Sequence, residues 1–270
     1  MVSKEKILIL TSGKVSKLDT FDVPFKASFD DINYSSEFGD IFVNDKSLKD
    51  FEIIYFRMVG KSLEVATLVA EFAVKNKIKI IDKIYENSLL MPLSLGKSIE
   101  LKKLIDAGVS VPKTVFGDLK KLPYPFIVKS TNSQKGREVW LVRNEIEMGE
   151  LRMKFQKGKF YFSQEFIPNA KRARLLVIGE KVIGGILRQT KWNKDGTKEV
   201  LNPIPSDMEK LALFATRSAG LDISGVDILI NKMGEMFIIE ANAAPSWKLI
   251  NKYCGVLIEN EIIKYIQNQV

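Results

Sequence analysis

The stretch Gly225–Trp247, GVDILINKMGEMFIIEANAAPSW, decides how the rest of the chain is interpreted. Two apolar runs, VDILI and MFIIEA, flank a polar turn at Asn231–Gly234. Short apolar runs that are rich in Ile and Phe and bounded by Gly are typical of paired, buried strands. A turn centred in this segment places Asp227 nearly opposite Glu240. The stretch therefore predicts a hairpin with two facing carboxylates.

Three oxygen-bearing side chains belong to this predicted hairpin: Asp227, Glu240 and Asn242. Glu240 and Asn242 are two residues apart on one strand, so they point to the same side. Two neighbouring carboxylates repel each other and lose hydration unless a cation lies between them. Oxygen ligands without Cys or His favour Mg²⁺ or Mn²⁺, and Mg²⁺ usually shares its ligands with substrate phosphates. The stretch predicts a Mg-nucleotide site; the alternative is a set of strand-end charges facing water.

The composition narrows the chemistry that the chain can use. Its 270 residues suffice for one large or two modest domains, and no apolar run approaches a membrane span or a signal-peptide core, so no membrane partner is expected. The single Cys254 excludes an internal disulfide framework, which favours a reducing, cytoplasmic location. The absence of histidine excludes Ser-His-Asp, Cys-His and ordinary zinc catalysis. Any catalysis must use carboxylates, Lys, Arg, Asn and a metal.

The net charge of +8 has two interpretations. Most of the excess is Lys scattered along the chain, which is typical of solvated surfaces. A basic balance also suits a nucleotide or another anionic ligand. No basic cluster interleaved with aromatic residues is found, so nucleic acid is not expected as a partner.

The first third of the chain has the pattern of a small parallel α/β layer. Three of its segments are predicted strands: Lys6–Thr11, Phe51–Phe56 and Lys77–Asp82. A helix capped by Ser62 lies between the last two, and strand, helix and strand at this spacing predict a βαβ unit. Arg57 follows the second strand at the usual ligand edge of such sheets. It is a candidate contact for substrate or phosphate; the alternative is an exposed loop arginine.

We place a domain boundary near Pro92, which divides the chain into residues 1–92 and 93–270. The second part mixes strands with helices: Ser94–Ala107, Pro125–Ser130, Arg137–Val142, Glu145–Phe155, Lys159–Ile167, Ala173–Ile178, Lys181–Gln189, Pro205–Gly220, Ser246–Tyr253 and Val256–Gln267. Ser206, with Glu209, is the predicted cap of one of these helices. Arg174 and Arg188 are charges inside otherwise apolar strands, and such charges usually have a partner or a ligand.

Four motifs, in this order, resemble the ATP-grasp superfamily and, within it, the RimK-like glutamate-ligase branch. They are AGVSVPKT (Ala107–Thr114), PFIVKS with its glycine loop (Pro125–Gly136), SQEFI (Ser163–Ile167) and GVDIL…IIEANAAPS (Gly225–Ser246). The resemblance covers roughly Leu93 to Trp247. It implies an α/β (α+β) fold, in which a small parallel α/β pre-ATP-grasp domain precedes a two-subdomain ATP-grasp fold. The implied subdomains are about 93–162 and 163–270.

The resemblance also implies roles for individual residues. ATP and Mg²⁺ (or Mn²⁺) are the implied cofactors, and Asp227, Glu240 and Asn242 match the magnesium ligands. Arg188 matches a catalytic arginine near the γ-phosphate and the acyl intermediate, and Lys129 matches a catalytic lysine. The implied nucleotide contacts comprise two lysines, the glycine-rich lid over the phosphates, and the hinge whose backbone meets adenine: Lys97, Lys129, Ser133, Gly136, Gln164, Glu165, Phe166 and Ile167.

Three positions depart from the pattern of this branch. The acidic residue that holds the ribose after the hinge is replaced by the basic pair Lys171-Arg172. Ser246 stands where a Gly usually follows the proline, and the substrate-side loop Trp192–Lys198 lacks the familiar pattern.

Together these features predict an ATP-dependent carboxylate–amine ligase. A carboxylate attacks the γ-phosphate to give an acyl phosphate and ADP, and an amine then displaces phosphate. Such phosphoryl transfer needs positioning and charge neutralisation more than a catalytic base, so a chain without histidine can perform it. The predicted partners are ATP and small carboxylate and amine substrates, or a peptide or protein terminus, and a homo-oligomer is left open. Two alternatives are a catalytically silent Mg-ATP-binding regulatory module and a nucleic-acid binder that uses the basic surface.

Overall fold

The computed structural model, which describes residues 1–37, 39–87, 96–131, 137–192 and 197–269, begins with a parallel sheet. The elements of this part are β1 (Ile7–Thr11), β2 (Phe25–Ser28), β3 (Ile32–Ser35), β4 (Asp40–Val43), β5 (Lys46–Ser47), β6 (Ile53–Met58), α1 (Leu63–Lys75) and β7 (Lys79–Ile81). The N-terminal sheet has the parallel strand order β2-β1-β6-β7, and β3, β4 and β5 form a small antiparallel sheet. The predicted βαβ unit is thus confirmed as β6, α1 and β7.

The N-terminal sheet forms because its strands are apolar on both sides. One side packs against α1 through Leu8, Ile54 and Val69, which are buried in one cluster. Ser62 precedes α1, but its hydroxyl donates to Ser12 Oγ at 3.1 Å and makes no capping hydrogen bond to the helix. Ser62 thus occupies the predicted N-cap position of α1, but it does not cap the helix through its side chain, because a partner on the loop after β1 takes the hydroxyl.

The central part of the chain folds into a second, antiparallel sheet. Its elements are α2 (Lys97–Asp106), β8 (Thr114–Phe116), β9 (Phe126–Ser130), β10 (Val139–Val142), α3 (Glu145–Arg152) and β11 (Tyr161–Glu165). The strand order of this central sheet is β10-β9-β11-β8. Phe126 and Val128 of β9 pack against Met148 of α3. Because successive strand residues alternate in direction, Ile127 and Lys129 face the opposite side of this sheet.

The C-terminal sheet carries the predicted metal hairpin. The remaining elements are β12 (Lys171–Ile178), β13 (Lys181–Gln189), β14 (Lys198–Val200), α4 (Ser206–Ala219), β15 (Ile223–Ile230), β16 (Met236–Asn242), α5 (Lys248–Cys254) and α6 (Ile258–Gln267). The antiparallel strand order is β14-β13-β12-β15-β16. Pro205, and not Ser206, occupies the N-cap position of α4, and no side-chain capping bond is made. The predicted capping box is therefore wrong, because Ser206 already belongs to the helix.

Side-chain alternation on β12 divides the C-terminal sheet into two chemically different faces. Ala173, Leu175 and Val177 are buried together with residues of α4. On the other side, the later residues Leu176 and Ile178 join a buried cluster with the N-terminal sheet and α6. Earlier on β12, the residues on that same side are Arg172 and Arg174. Apolar packing thus covers one end of this face, and charges occupy its other end.

The mixed α/β architecture agrees with the expected fold class. The predicted boundary at Pro92 falls outside the described residues and stays a prediction. Within the described ranges, no helix has the length and apolarity that crossing a membrane requires.

Candidate functional site

The hairpin of β15 and β16 has the predicted register, with Asp227 directly opposite Glu240. The register shifts immediately afterwards, because Ile228 pairs with Ile238 and leaves Ile239 as an extra residue on β16. Such a bulge interrupts the alternation of side chains, so residues before and after it point to different sides of the sheet than an unbroken strand would allow. It allows Ile238 to remain in the buried core while Glu240, two residues later, lies on the same side as Asp227.

Asn242 is next to Glu240, as the spacing on one strand predicts. Its Nδ2 donates to Glu240 Oε1 at 3.0 Å, and its Oδ1 accepts from the backbone N–H of Ala244 at 2.7 Å. The amide is therefore fixed by contacts at both ends. The side-chain oxygen keeps a second lone pair, since an amide oxygen has two.

Asp227 is fully buried, and two arginines of β12 hold its carboxylate. Arg174 donates from Nε to Oδ1 at 2.9 Å and from a terminal nitrogen to Oδ2 at 2.5 Å. Arg172 donates to the same Oδ2. Burial alone would raise the pKa of Asp227, but Arg172 and Arg174 outweigh burial and bring the pKa below its ordinary value. The carboxylate is thus ionised and already neutralised by protein cations.

Arg188 extends this arrangement onto β13. It lies opposite Arg172 in the β12–β13 pairing, and Arg174 lies opposite Asp227 in the β12–β15 pairing. Burial and then the neighbouring Arg172 lower the pKa of Arg188 from its ordinary value. We call the side of the C-terminal sheet that bears these four residues and Glu240 the charged face. Three guanidinium groups on one face favour a strongly anionic ligand.

Lys129 approaches the charged face from the central sheet. Its ammonium donates to Gln164 Oε1 at 2.5 Å, and Gln164 Nε2 donates to Thr114 Oγ1 at 2.9 Å. Burial, followed by the nearby charge of Lys97, lowers the pKa of Lys129 to about 8. Glu240 acts in the opposite direction on this pKa, so the two sheets are close enough here for their charges to interact. Lys129 is therefore bonded to Gln164 and lies within electrostatic reach of Lys97 and Glu240.

Glu100 of α2 belongs to the same site, although it was not among the residues predicted from the sequence. Its Oε1 accepts a hydrogen bond from the backbone N–H of Ala241 at 2.6 Å, between the two candidate ligands of β16. Burial, and next the charge of Glu240, raise the pKa of Glu100 to about 8. The feature of the sequence that could have identified Glu100 is its position three residues after Lys97, which places both side chains on one side of the helix.

The segment that the sequence predicts to be a hinge follows β11, between the central and C-terminal sheets. Glu165 is exposed, and its backbone N–H donates to Lys113 O at 2.8 Å, which ties the hinge to the segment before β8. Phe166 and Ile167 are half-buried. Leu229 and Phe237, which pair across β15 and β16 on the charged face, are also half-buried and offer an apolar surface that the sequence did not single out. Ser133 and Gly136 lie outside the described residues.

Arg57 has a different environment from the ones that the sequence predicted. Its guanidinium donates to Pro245 O at 2.6 Å and lies 3.9 Å from the centre of the Trp247 ring. Arg57 thus joins the N-terminal sheet to the segment that follows β16. Its guanidinium is therefore engaged by other residues of the chain and is not exposed on a loop. These contacts do not direct it toward the charged face.

The donor set at the hairpin fits a hard divalent cation. Asp227 and Glu240 supply carboxylate oxygens and Asn242 an amide oxygen, the ligand types that Mg²⁺ prefers. In the described part of the chain, no group of three or more Asp, Glu, Cys or His residues could hold a metal ion. A cation here would therefore depend on the amide and on ligand oxygens besides the two carboxylates. The roles of all these residues stay predictions.

Comparison with known proteins relates the chain to ligases. The family described as the RimK-like ATP-grasp domain matches residues 82–266. A probable alpha-L-glutamate ligase of Haemophilus influenzae is 29% identical over 189 residues, which are 63% of this chain and 61% of that protein. The chain thus spans about three fifths of that relative's length. A probable alpha-L-glutamate ligase of Histophilus somni is 26% identical over 250 residues, or 84% of this chain and 81% of that protein. Human N-acetylaspartylglutamate synthase A is 24% identical over 231 residues, or 81% of this chain and 54% of that protein.

Solved structures support the same architecture. The ATP-grasp ligase PsnB, complexed with a phosphomimetic variant of a minimal precursor, Mg and ADP, superposes with a TM-score of 0.72 at 16% identity, covering 97% of this chain and 99% of that one. A RimK domain ATP-grasp protein from Sphaerobacter thermophilus gives a TM-score of 0.66 at 17% identity, covering 96% and 99%. At these identities the likeness establishes the fold.

Proposed function

Because the chain belongs to the RimK-like ATP-grasp family, we propose that it is an ATP-dependent carboxylate–amine ligase that releases ADP and phosphate. The observation that carries this proposal is the charged face itself. Arg188, Arg174 and Asp227 lie on neighbouring strands of that face, and Lys129 reaches it from the central sheet. Such a concentration of fixed charges suits the transfer of a phosphoryl group.

The reaction has two balanced steps. A substrate carboxylate oxygen forms a bond to the γ-phosphorus of ATP, the bond to the bridging oxygen breaks, and ADP leaves with the bonding electrons. The amine then attacks the carbonyl carbon of the acyl phosphate and expels phosphate, while the amine loses a proton to complete the amide. Relatives named as glutamate ligases and as a synthase of N-acetylaspartylglutamate support amino acids or peptides as substrates.

The chain's own side chains provide the positioning and the charge for these steps. Lys97, Lys129 and Arg188 bind phosphate oxygens and offset the negative charge that spreads in the transition state. With its pKa at about 8, Lys129 keeps most of its charge at neutral pH. Asp227, Glu240 and Asn242 would hold Mg²⁺ or Mn²⁺, which supplies further neutralisation of the phosphates when bound. The hinge from Glu165 to Ile167 binds adenine through its backbone.

The remaining partners follow from the same proposal. ATP is one substrate, and a small carboxylate and amine, or the terminus of a peptide or protein, are the others. The protein acts in the cytoplasm, where its one cysteine, Cys254, stays reduced. A homo-oligomer is compatible with the proposal and is not required by it.

Replacement of Glu240 by alanine tests the activity. ADP release from ATP is measured with a panel of amino acids and peptides as acceptors, while circular dichroism and urea unfolding verify the fold. We expect Glu240→Ala to reduce ADP release by about 100-fold or more, because a metal ligand is lost. Glu150→Gln, an exposed carboxylate of α3, is the matched control and should keep full activity. Robust turnover by folded Glu240→Ala would contradict the proposal.

A catalytically silent Mg-ATP-binding module is the second candidate. The observation in its favour is that both oxygens of Asp227 are already held by arginines. Tight binding of Mg-ATP to the wild-type protein, with no ADP released across the whole acceptor panel, would favour this candidate over the ligase.

A further inference from the structure

The carboxylate of Asp227 accepts hydrogen bonds from two guanidinium groups, although one would neutralise its charge. Arg174 alone makes the two-atom contact, with one nitrogen on Oδ1 and another on Oδ2. Arg172 adds a further hydrogen bond to Oδ2. An ionised carboxylate has about four lone-pair sites, so these contacts occupy most of them. Both lone-pair sites of Oδ2 are occupied, so a metal ion that binds this oxygen must compete with a guanidinium for it.

Arg172 is the weaker-held member of this pair of arginines. It reaches Asp227 through one terminal nitrogen, whereas Arg174 uses a fork of two. Its Nε is buried, and this atom has no hydrogen-bond partner among the residues that the structure describes. A buried donor without a partner is destabilising, because it has lost its hydrogen bonds to water. Arg172 also lies opposite Arg188 on β13, so a like charge faces it.

We propose that Arg172 competes with a divalent cation for Asp227 Oδ2 and so couples metal binding to the arrival of a polyphosphate. The proposal rests on the metal role of Asp227 in the proposed function. A bare cation has to displace the guanidinium and enter a face that already carries three arginines. A cation that arrives with phosphate oxygens brings an anion to which the released guanidinium and its unpartnered Nε can donate. Metal and nucleotide then each strengthen the binding of the other, as linkage requires.

Manganese titration of the purified protein tests the competition. Unbound Mn²⁺ is measured by electron paramagnetic resonance as protein is added, with and without ADP. We expect Arg172→Gln to bind Mn²⁺ without nucleotide about tenfold or more tightly than wild type, the range over which neighbours of a ligand tune metal affinity. ADP should strengthen Mn²⁺ binding to wild type by a larger factor than it does for Arg172→Gln.

Arg217→Gln is the matched control, because it removes an arginine–carboxylate pair, with Glu180, at the surface. Its Mn²⁺ affinity should equal that of wild type. Arg172→Lys is the second variant, since lysine keeps the charge and loses the planar fork, and it should fall between wild type and Arg172→Gln. Equal or weaker Mn²⁺ binding by folded Arg172→Gln, relative to wild type without nucleotide, overturns the competition.

The same titration separates this inference from the proposed function. Mn²⁺ binding is read without turnover, so a protein that releases no ADP still shows whether Arg172 competes. Absence of Mn²⁺ binding to wild type and to Arg172→Gln, even with ADP, would remove the metal role of Asp227 and with it both proposals.

Discussion

Asp82 is a fully buried carboxylate that links the N-terminal sheet to the C-terminal sheet. Its Oδ1 accepts from the backbone N–H groups of Asp222 and Ile223 at 2.7 and 2.9 Å, and its own N–H donates to Asp222 Oδ2 at 2.8 Å. Its Oδ2 is buried, with no partner among the described residues. Tyr265 holds Asp222 from α6 through a bond of 3.1 Å to Oδ1. Asp82 therefore joins the N-terminal sheet to the C-terminal sheet, and its carboxyl group loses hydration to do so.

Burial raises the pKa of Asp82 from 3.8 to about 8, although the two backbone donors act against this shift. Between these pH values the folded protein keeps a proton that the unfolded chain has lost. The free energy of unfolding should therefore fall as pH rises from about 4 to about 8. Each unit of pKa difference corresponds to about 1.4 kcal/mol, so even part of the shift changes stability measurably.

Asp82→Asn should make the free energy of unfolding less dependent on pH in this window. Asparagine keeps an oxygen for the two backbone donors and tolerates the positive φ of 72° at this position. Urea unfolding at pH 5, 6, 7 and 8 provides the measurement. The exposed Asp19 gives the control, since Asp19→Asn should leave the pH dependence of wild type intact. Parallel curves for Asp82→Asn and wild type would show that Asp82 is ionised in the folded state throughout.

Gly225 lies at the point where β15 meets the segment after β16. A Cβ there would be 2.6 Å from Cβ of Pro245, which is closer than real contacts allow. Gly225→Ala should lower the free energy of unfolding by about 1–3 kcal/mol, the usual cost of overpacking. It should also weaken Mn²⁺ and ADP binding, because Gly225 pairs with Asn242.

Gly149→Ala is the matched control for this substitution. Gly149 lies inside α3 with no atom within 4 Å of the position of an added Cβ. Alanine should stabilise that helix by about 0.5–1 kcal/mol, because glycine is the poorer helix former. Urea unfolding of both variants provides the comparison. A Gly225→Ala protein as stable as wild type would mean that the Pro245 segment moves aside without cost.

The hairpin was predictable because its information is local. The apolar runs and the turn residues give the strands, and counting from the turn gives the pairing of Asp227 with Glu240. The bulge at Ile239 was not predictable from the local sequence. It exists because Ile238 is buried in the core while Glu240 lies on the opposite side of the sheet, with Asp227. The sequence could select Arg174 as a strand charge that needs a partner. Its partner, Asp227, is 53 residues away and depends on which strands pair.

The N-terminal sheet contributes to the site region through a contact that no local pattern encodes. Arg57 donates to Pro245 O at 2.6 Å and lies over the Trp247 ring, and Trp247 Nε1 donates to Glu259 Oε1 at 2.8 Å. Glu259 also accepts from Thr20 Oγ1 at 3.2 Å, which returns the chain of contacts to the N-terminal part. The segment that follows the β15–β16 hairpin is thus held from both sides. The ends of parallel strands often bind ligands, but a residue at such an end can instead make contacts within the protein, as Arg57 does.

Arg57→Lys should loosen this segment while keeping the charge. Lysine cannot both stack on Trp247 and donate to Pro245 O, because it lacks the planar guanidinium. We expect the free energy of unfolding to fall by about 1–3 kcal/mol, as for a lost buried hydrogen bond. Hydrogen exchange should become faster in peptides covering β6 and residues 243–250, and urea unfolding gives the free energy.

Arg143→Lys is the control, because Arg143 is exposed and pairs with Glu147 at the surface. A surface substitution of this kind should change the free energy of unfolding by no more than about 0.5 kcal/mol. If Arg57→Lys matched wild type in both stability and exchange, the contacts to Pro245 and Trp247 would not hold the layers together. A loss of nucleotide affinity without any loss of stability would instead return Arg57 to the role of a ligand contact, which its position after the predicted strand Phe51–Phe56 first indicated. The two measurements together therefore distinguish an arginine that joins layers from one that binds substrate.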